Sequence, residues 1–392
     1  MKILVLGAGK MGRGAVHDLA YNSPDVSHIT IADADVPLAE LIAKLHGNGI
    51  AVAKQIDVAD YAATVELMRE HDAAISCVPY IYNFRLAQAA IEARTNFCDL
   101  GGNNDIAAQE LNLNAEAEAV GINIIPDCGL APGMVSLLAM HGAERFETLD
   151  SIHIRVGGLP QFPKPPLNYQ LIFSVDGLIN EYVEPARVIR NRAIETIESL
   201  TELETLEVEG FNRLEAFQTS GGVSTLPETF LGRVRELDYK TIRYLGHCAR
   251  FKTLIDLGFA DLEPVSLTTT TGEKVEAIPR SFLRDTLLLR LPRNEPDVVI
   301  IRVEFSGIMN DAHQMLRYEI VDRFDPETDL SAMMRTTAFP ASIIAQMMAR
   351  GETLKKGAIP QEIAIPSKEF IALLAERKIV INEQVFSVDN GQ

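Results

Sequence analysis

The chain has 392 residues, of which 47% are hydrophobic and 23% charged, a composition typical of a folded protein with more than one domain. Its 54 acidic and 36 basic residues give a formal net charge of −18, which disfavours nucleic acid and anionic membranes as partners. No apolar run approaches the roughly 20 residues of a membrane span, and an N-terminal strand in place of a signal peptide predicts a cytoplasmic protein.

The chain begins with an apolar strand that leads into a glycine-rich turn. Residues 2–6 are followed by the G-x-G-x-x-G pattern of Gly7, Gly9 and Gly12. Gly7 permits a tight turn, Gly9 lets the backbone approach a pyrophosphate, and Gly12 lets the next helix pack near the sheet. The helix N-terminus favours the phosphate charge. Asp33 ends the next predicted strand, about 20 residues further on, where its carboxylate can bind ribose hydroxyls. The pattern predicts a dinucleotide site.

Short apolar runs alternate with helical patterns over the first 130 residues, which is typical of a doubly wound parallel sheet. The sequence therefore predicts an α/β protein whose first domain, residues 1–130, is a Rossmann domain. The predicted strands are 2–6, 28–32, 50–56, 73–78, 95–99 and 122–126. The predicted helices are 11–20, 37–46, 60–70, 83–94 and 105–120, with a further helix from Met134 to Gly142.

Ligands of such sheets bind beyond the carboxyl ends of the strands, so the residues that follow each strand are candidates for the site. Tyr80 follows the fourth strand and could close the pocket from the cofactor side, and Asp127 follows the sixth strand. The predicted cofactor-binding residues are Gly7, Gly9, Lys10, Met11, Gly12, Asp33, Val78, Pro79, Gly101, Pro132 and Gly133.

From about residue 148 the pattern changes to Ile-, Val- and Thr-rich strands between irregular stretches, and it predicts a second, α+β domain over residues 131–332. Its predicted strands are 152–156, 297–305 and 316–322, and its helices begin near 174, 251 and 280. The proline-rich stretch 159–167 is predicted to be irregular, and the acidic stretch 190–210 to be a solvated excursion. Residues 333–392 are predicted to be C-terminal helices that could pack back on the first domain.

The pattern of residues 238–247 predicts a strand with one strongly polar face. Side chains alternate between the two faces of a strand, so Tyr239, Thr241 and Arg243 lie on one face, and His247 lies on the same side of the chain. This face is either a ligand-binding surface or an ordinary solvated sheet face, and the spacing leaves both interpretations open.

Five segments together resemble the L-lysine 6-dehydrogenases of the saccharopine dehydrogenase-like family, in order and spacing, up to about residue 350. They are 7–12, 126–133, 165–169, 219–227 and 239–247. The resemblance implies NAD-dependent oxidative deamination at the ε-carbon of L-lysine. The product would be 2-aminoadipate 6-semialdehyde, which cyclises to piperideine-6-carboxylate, with release of ammonia and NADH. Cys128 departs from the aliphatic residue that the motif leads us to expect, which affects only local packing.

This reaction requires a neutral ε-amine, and an unperturbed lysine amine has a pKa near 10.4. Asp127 and His247 are the candidate bases, with Tyr80 as a third catalytic candidate, although the pattern favours a hydrogen-bonded structural role for His247. Arg243 offers a planar fork for the substrate carboxylate. Hydroxyl contacts to the substrate are predicted from Thr241, Tyr239, Thr219 and Ser220. No basic residue closely follows Asp33, which favours NAD over NADP.

Several alternatives remain open at this point. A related enzyme that oxidises a secondary amine, such as a saccharopine or carboxynorspermidine dehydrogenase, would need more basic residues in its pocket. A non-catalytic NAD-binding sensor would need only the first domain, and another ω-amino acid such as ornithine could replace lysine. The four cysteines have no metal-binding spacing, which predicts reduced thiols and no metal. A homo-oligomer is expected because the second domain is large and has sheet edges.

Overall fold

The computed structural model describes residues 1–387, and its first unit is the predicted Rossmann fold. The strands of this unit are β1 (Lys2–Leu6), β2 (His28–Asp33), β3 (Ala51–Gln55), β4 (Ala73–Ser76), β5 (Asn96–Asp99) and β6 (Asn123–Ile125). The helices are α1 (Lys10–Tyr21), α2 (Val36–His46), α3 (Tyr61–Met68), α4 (Asn83–Ala93), α5 (Asn104–Leu111), α6 (Asn114–Val120) and α7 (Met134–Ala143). The predicted helix 105–120 is therefore two helices, because the chain turns at Asn112 and Leu113.

The second unit contains long strands and short helices. Its strands are β7 (Thr148–Pro160), β8 (Ala186–Arg190), β9 (Ala193–Ile197), β10 (Glu204–Leu206), β11 (Leu214–Gln218), β12 (Glu236–Tyr244), β13 (Val265–Thr268), β14 (Lys274–Ala277), β15 (Asp297–Met309) and β16 (Ala312–Arg323). Its helices are α8 (Val175–Val183), α9 (Leu226–Phe230), α10 (His247–Asp256) and α11 (Pro279–Arg290). The C-terminal segment adds α12 (Ala332–Arg350), β17 (Gly357–Ala358), α13 (Gln361–Ala364), α14 (Ser367–Glu376) and β18 (Asn382–Ser387).

The first sheet is parallel, in the order β17-β6-β5-β4-β1-β2-β3, and the α/β Rossmann prediction is confirmed. The second sheet is mixed, in the order β10-β11-β12-β7-β15-β16-β18, with β8 and β9 paired beside β12. The segment after residue 332 contributes a strand to each sheet, so it belongs to both units; its residues 388–392 lie outside the described part.

Helix α12 lies between the two sheets. It packs against α1, β4 and β5 on one side and β15 on the other. A Cβ on Gly14 of α1 would lie 2.9 Å from Cβ of Ala338, so the two helices approach closely only because of that glycine. One continuous apolar core includes Val5 of the first sheet and Val303 of the second, which fixes the two sheets against each other.

Three local predictions in the second unit were wrong. The stretch 190–210 holds β9 and β10 rather than a solvated excursion, because its charged side chains alternate with residues that face the sheet. The strand predicted at 152–156 continues to Pro160, where it pairs with β15. Strand β12 ends at Tyr244, so His247 begins a helix instead of continuing the strand. Among residues 1–387 there is no helix with the length and apolar character needed to cross a membrane.

Candidate active site

The glycine-rich turn is shaped by two glycines that no other residue could replace without a shift. Gly7 has φ +100°, and a Cβ there would lie 2.9 Å from the Cys77 carbonyl oxygen. A Cβ on Gly12 would lie only 1.9 Å from the Gly7 carbonyl oxygen. Gly9 is the N-cap of α1 and has open space beside it, and no side chain caps the helix. The free N–H groups at residues 10–12 therefore fit a pyrophosphate.

Asp33 holds this turn in place as well as ending β2. Its Oδ2 accepts a hydrogen bond from Ala8 N at 2.6 Å, and its Oδ1 accepts one from Asp35 N at 2.8 Å. A half-buried carboxylate at this strand end suits the ribose of a dinucleotide, and the residues present therefore fit such a cofactor.

The other predicted cofactor residues assemble along the carboxyl edge of the same sheet. Val78 lies against Gly7, since a Cβ on Gly7 would be 3.1 Å from its Cγ1. Tyr80 lies against Gly102 in the same way, at 3.1 Å from its Cδ1. A Cβ on Gly101 would come within 2.2 Å of Asp127 Oδ1, so only a glycine lets Asp127 occupy that place. The loops after β1, β4, β5 and β6 thus meet at one crevice. Pro79 is exposed there, and Pro132 and Gly133 lead into α7.

Asp127 is buried at this crevice, with 2% of its surface exposed and with φ +62°. Its backbone N–H donates to Asp99 Oδ1 at 3.2 Å, and its Oδ2 accepts a hydrogen bond from the Ser224 hydroxyl of the second unit. Burial, together with the nearby Asp99 charge, raises the pKa of Asp127 to about 7, and the Ser224 hydrogen bond opposes the rise. A carboxyl group with this pKa can exchange protons near neutral pH.

Asp99 and Glu110 form a buried acid pair behind Asp127. Asp99 Oδ1 accepts from Gly101 N at 2.6 Å, so this side chain ties the loops after β5 and β6 together. Asp99 Oδ2 and Glu110 Oε1 find no protein donor within residues 1–387. Burial and the Asp99 charge raise the pKa of Glu110 far above its usual range, so Glu110 keeps its proton at neutral pH.

Arg243 forms the centre of the site in the second unit. It is 2% exposed, its Nε donates to the Tyr182 hydroxyl at 2.9 Å, and its guanidinium lies 4.9 Å from the Tyr169 ring centroid. Five lysine or arginine side chains are buried in the described chain: Arg155, Lys240, Arg243, Arg302 and Arg377. The other four each have a carboxylate oxygen within 2.8 Å. Arg243 has none within 4.0 Å among residues 1–387, so its charge is available to a ligand.

Two of the predicted hydroxyl residues, Tyr239 and Thr241, lie on the same face of β12 as Arg243. Thr241 Oγ1 and Thr219 Oγ1 are 2.7 Å apart, and Tyr239 lies under Gly222, whose added Cβ would be 2.4 Å from the ring. Ser220 is bound to the end of α8 through its backbone N–H, which donates to the Glu181 carbonyl at 3.0 Å. Strand β12 is buried on both faces, so the alternative of a solvated sheet face was wrong.

The segment between residues 219 and 224 connects Asp127 with the group formed by Arg243, Thr241, Tyr169 and Tyr182, here called the Arg243 cluster. Thr219 contacts Thr241, and Ser224 donates to Asp127. Five residues of extended chain span at most about 18 Å. The predicted substrate residues and the predicted base thus lie at the two ends of one short segment.

His247 is fully buried behind Arg243. Its Nδ1–H donates to the Leu167 carbonyl at 2.9 Å, and its Nε2, 3.0 Å from the Tyr182 oxygen, accepts the Tyr182 hydroxyl proton. Burial and the Arg243 charge lower the pKa of His247 to about 3. With both nitrogens engaged, a neutral His247 orients Tyr182, and Tyr182 in turn orients Arg243.

Comparison with protein families covers almost the whole described chain. A model described as "Saccharopine dehydrogenase NADP binding domain" matches residues 3–125, and one described as "Saccharopine dehydrogenase C-terminal domain" matches residues 129–379. The chain belongs to the saccharopine dehydrogenase family.

Curated members of the family are distant in sequence. The chain is 27% identical over 209 residues to the saccharopine dehydrogenase [NADP(+), L-glutamate-forming] of Saccharomyces cerevisiae, covering 50% of this chain and 44% of that protein. It is 24% identical over 369 residues to the mitochondrial alpha-aminoadipic semialdehyde synthase of Mus musculus, covering 88% and 37%. The carboxynorspermidine synthase of Vibrio cholerae is 25% identical over 181 residues, covering 40% and 44%. The matches span less than half of each relative's length.

Solved structures support the family fold. Apo saccharopine dehydrogenase (L-Glu forming) from Saccharomyces cerevisiae superposes with a TM-score of 0.80 at 19% identity, covering 98% of this chain and 100% of that one. The homospermidine synthase of Legionella pneumophila, solved in complex with NAD, superposes with a TM-score of 0.70 at 13% identity, covering 99% and 91%.

Six residues of the site described above are absent from the predicted set: Asp99, Glu110, Tyr169, Glu181, Tyr182 and Ser224. Asp99 has a signal in the sequence, because it is the last residue of a strand, as Asp33 is. Ser224 lies within the segment 219–227 that carries the family resemblance. Glu110 and Glu181 lie on amphipathic helices, where an acid gives no signal of its own.

Proposed function

We propose that this protein catalyses the NAD-dependent oxidative deamination of the ε-amino group of L-lysine. The amine, NAD and water would give 2-aminoadipate 6-semialdehyde, ammonia, NADH and a proton, and the aldehyde would cyclise to piperideine-6-carboxylate. The observation that carries this proposal is the single unpaired buried cation, Arg243. Lysine has one carboxylate, and the described chain offers one buried arginine that lacks an acidic partner.

The cofactor part of the proposal rests on Asp33 and the turn that it holds. Its carboxylate would bind the ribose hydroxyls and repel a 2′-phosphate, and the adjoining residues Ala34 and Asp35 carry no positive charge. The bound nicotinamide supplies the hydride acceptor. The N–H groups of Lys10, Met11 and Gly12 would bind the pyrophosphate, and Tyr80 would close the crevice beside Gly102.

The proton part of the proposal rests on Asp127. An amine with a pKa near 10.4 costs about 4.6 kcal/mol to deprotonate at pH 7, at 1.36 kcal/mol per unit. Desolvation in the crevice beside the buried Asp127 lowers that cost, because burial disfavours the ammonium form. Asp127 would accept the proton, and it could later activate the water that hydrolyses the imine. His247 would position the carboxylate anchor through Tyr182.

The second candidate is oxidation of a secondary amine, as the names of the yeast and Vibrio relatives suggest. Saccharopine carries a dicarboxylic arm in addition to the lysine carboxylate, and this arm would need further cations. Arg155, Lys240 and Arg302 are all neutralised by acids, so the buried cations do not favour such a substrate.

The test is to compare kcat/KM for L-lysine and saccharopine with purified protein and NAD at mildly alkaline pH. The proposal predicts that L-lysine gives equal amounts of NADH and ammonia and that saccharopine is a poor substrate. Turnover of saccharopine to L-glutamate, without turnover of L-lysine, would overturn it. Binding of NAD without turnover of any amine would favour a sensor.

A further inference from the structure

Glu181 brings an unpaired carboxylate to the Arg243 cluster. It lies in the last turn of α8, directly before Tyr182, whose hydroxyl accepts the Arg243 hydrogen bond. Its side chain is partly buried and takes part in no hydrogen bond or ion pair with another residue of the described chain. Its charge acts on Arg243, Tyr169, Tyr182 and Tyr239, and its backbone carbonyl accepts a hydrogen bond from Ser220 N at 3.0 Å.

The surroundings of Glu181 favour a cationic ligand group. Burial raises the pKa of Glu181 to about 7, and the Arg243 charge opposes this rise. Among residues 1–387 no carboxylate oxygen lies within 4.0 Å of the Arg243 guanidinium. A carboxylate without a counterion in a partly buried site is unfavourable. An ammonium group placed here would supply the counterion that the Glu181 carboxylate lacks among residues 1–387.

We infer that Glu181 binds the α-ammonium group of the substrate whose α-carboxylate binds Arg243. The two groups share one carbon atom in an α-amino acid, so their anchors must be neighbours that do not neutralise each other. Glu181 and Arg243 are neighbours without a direct ion pair. Glu181 thus makes the enzyme specific for substrates that carry an α-ammonium group. Amino acids that carry an ω-amine but no α-ammonium group should be poor substrates. This inference rests on the proposed function.

The arrangement also sets the direction in which the substrate lies. The segment from Thr219 to Ser224 leads from this zwitterion-binding end to Asp127 and the cofactor crevice. With the α-carbon fixed between Glu181 and Arg243, the aliphatic chain runs toward Asp127. The ε-carbon is then the atom that reaches the cofactor.

The experiment compares L-lysine with 6-aminohexanoate, which has the same ε-amine and carboxylate but no α-ammonium group. We measure kcat/KM for both with wild type, Glu181→Gln and Asp176→Asn, an exposed acid on the same helix that serves as the control. Wild type and the control should prefer L-lysine by about 10- to 100-fold, as expected for a hydrogen bond to a charged group. Glu181→Gln should lose most of this preference through a higher KM for L-lysine, with 6-aminohexanoate turnover preserved.

Each outcome decides between the two claims. If wild type oxidises L-lysine and 6-aminohexanoate equally well, or if Glu181→Gln keeps the preference of wild type, the Glu181 inference is overturned while the proposed function stands. If wild type oxidises neither compound, the proposed function itself fails and the inference fails with it. Preserved turnover of 6-aminohexanoate shows that Glu181→Gln is folded, and the wild-type preference tests the inference even if that variant does not fold.

Discussion

Removing the Ser224 hydroxyl should move the pH dependence of the reaction in a defined direction. Ser224 donates a hydrogen bond to the Asp127 carboxylate, and this bond stabilises the ionised form. A hydrogen bond to a charged group contributes about 1.5 to 3 kcal/mol, which corresponds to about 1 to 2 pKa units at 1.36 kcal/mol each. Starting from a pKa of about 7, the Ser224→Ala variant should therefore titrate Asp127 about 1 to 2 units higher.

The assay is kcat/KM for L-lysine as a function of pH. Because Asp127 must be ionised to accept a proton, activity should rise as pH passes through its pKa, and the acidic limb should shift upward in Ser224→Ala. Activity at high pH should change much less than activity at neutral pH. Ser151→Ala is a matched control, since that hydroxyl pairs with Ser306 outside the site. An acidic limb that stays in place, or one that shifts downward, would refute the role given to Asp127.

Four further predictions concern single parts of the account. Asp127→Asn should abolish turnover. It should also raise the free energy of unfolding by up to about 4 kcal/mol above pH 7, because the raised pKa of Asp127 means that its ionised form destabilises the fold. Denaturant titrations should show this gain above pH 7 and no gain below pH 4, where the carboxyl group is protonated in both the folded and the unfolded protein. Arg243→Ala should raise KM for L-lysine at least about 10-fold, and steady-state kinetics showing a smaller rise would rule out the carboxylate role. Asp33→Asn should narrow the preference for NAD over NADP in comparative KM measurements, whereas an unchanged ratio would exclude Asp33 as the selector. The isolated hairpin β13–β14 exposes Val265, Leu267 and Val275, and an exposed apolar patch of this kind favours association with a second copy of the chain. Light scattering should therefore give a mass above the 43.1 kDa of one chain, and Leu267→Glu should lower that mass. A monomeric wild type would contradict this prediction.

The first unit could be predicted from sequence because its signals are local and its geometry is general. Gly7, Gly12 and Asp33 stand at fixed distances from two strands, and a parallel sheet brings the ends of all its strands to one edge. The same rule indicated Tyr80, Gly101 and Asp127, which the structure brings to one crevice.

The second unit was harder to predict because burial there depends on distant segments. Alternation in β12 correctly placed Tyr239, Thr241 and Arg243 on one face, but it could not reveal that both faces are covered. The other face is covered in part by Glu204, which pairs with Lys240 and lies within the stretch 190–210 that was predicted to be solvated. When the charged residues of a buried strand are paired, its polar and apolar residues alternate just as they do in a strand with one face in solvent. The sequence alone therefore cannot distinguish the two cases.

His247 and Glu181 show why the roles of single residues could not be assigned. His247, at the end of the polar stretch 238–247, was a candidate base. Gly246, at φ +84°, instead turns the chain so that the His247 ring contacts the Tyr182 hydroxyl and the Leu167 carbonyl. Glu181 comes from a helix some 60 residues away in sequence from Arg243, so only the fold brings the two charges together.

The most direct measurement uses L-lysine that carries deuterium at its ε-carbon. The account predicts that the reduced cofactor contains the deuterium and that one ammonia is released for each cofactor reduced. Unlabelled NADH would show that the hydride leaves another carbon, such as the α-carbon, and would contradict the assignment of Arg243 as the anchor at the far end of the substrate.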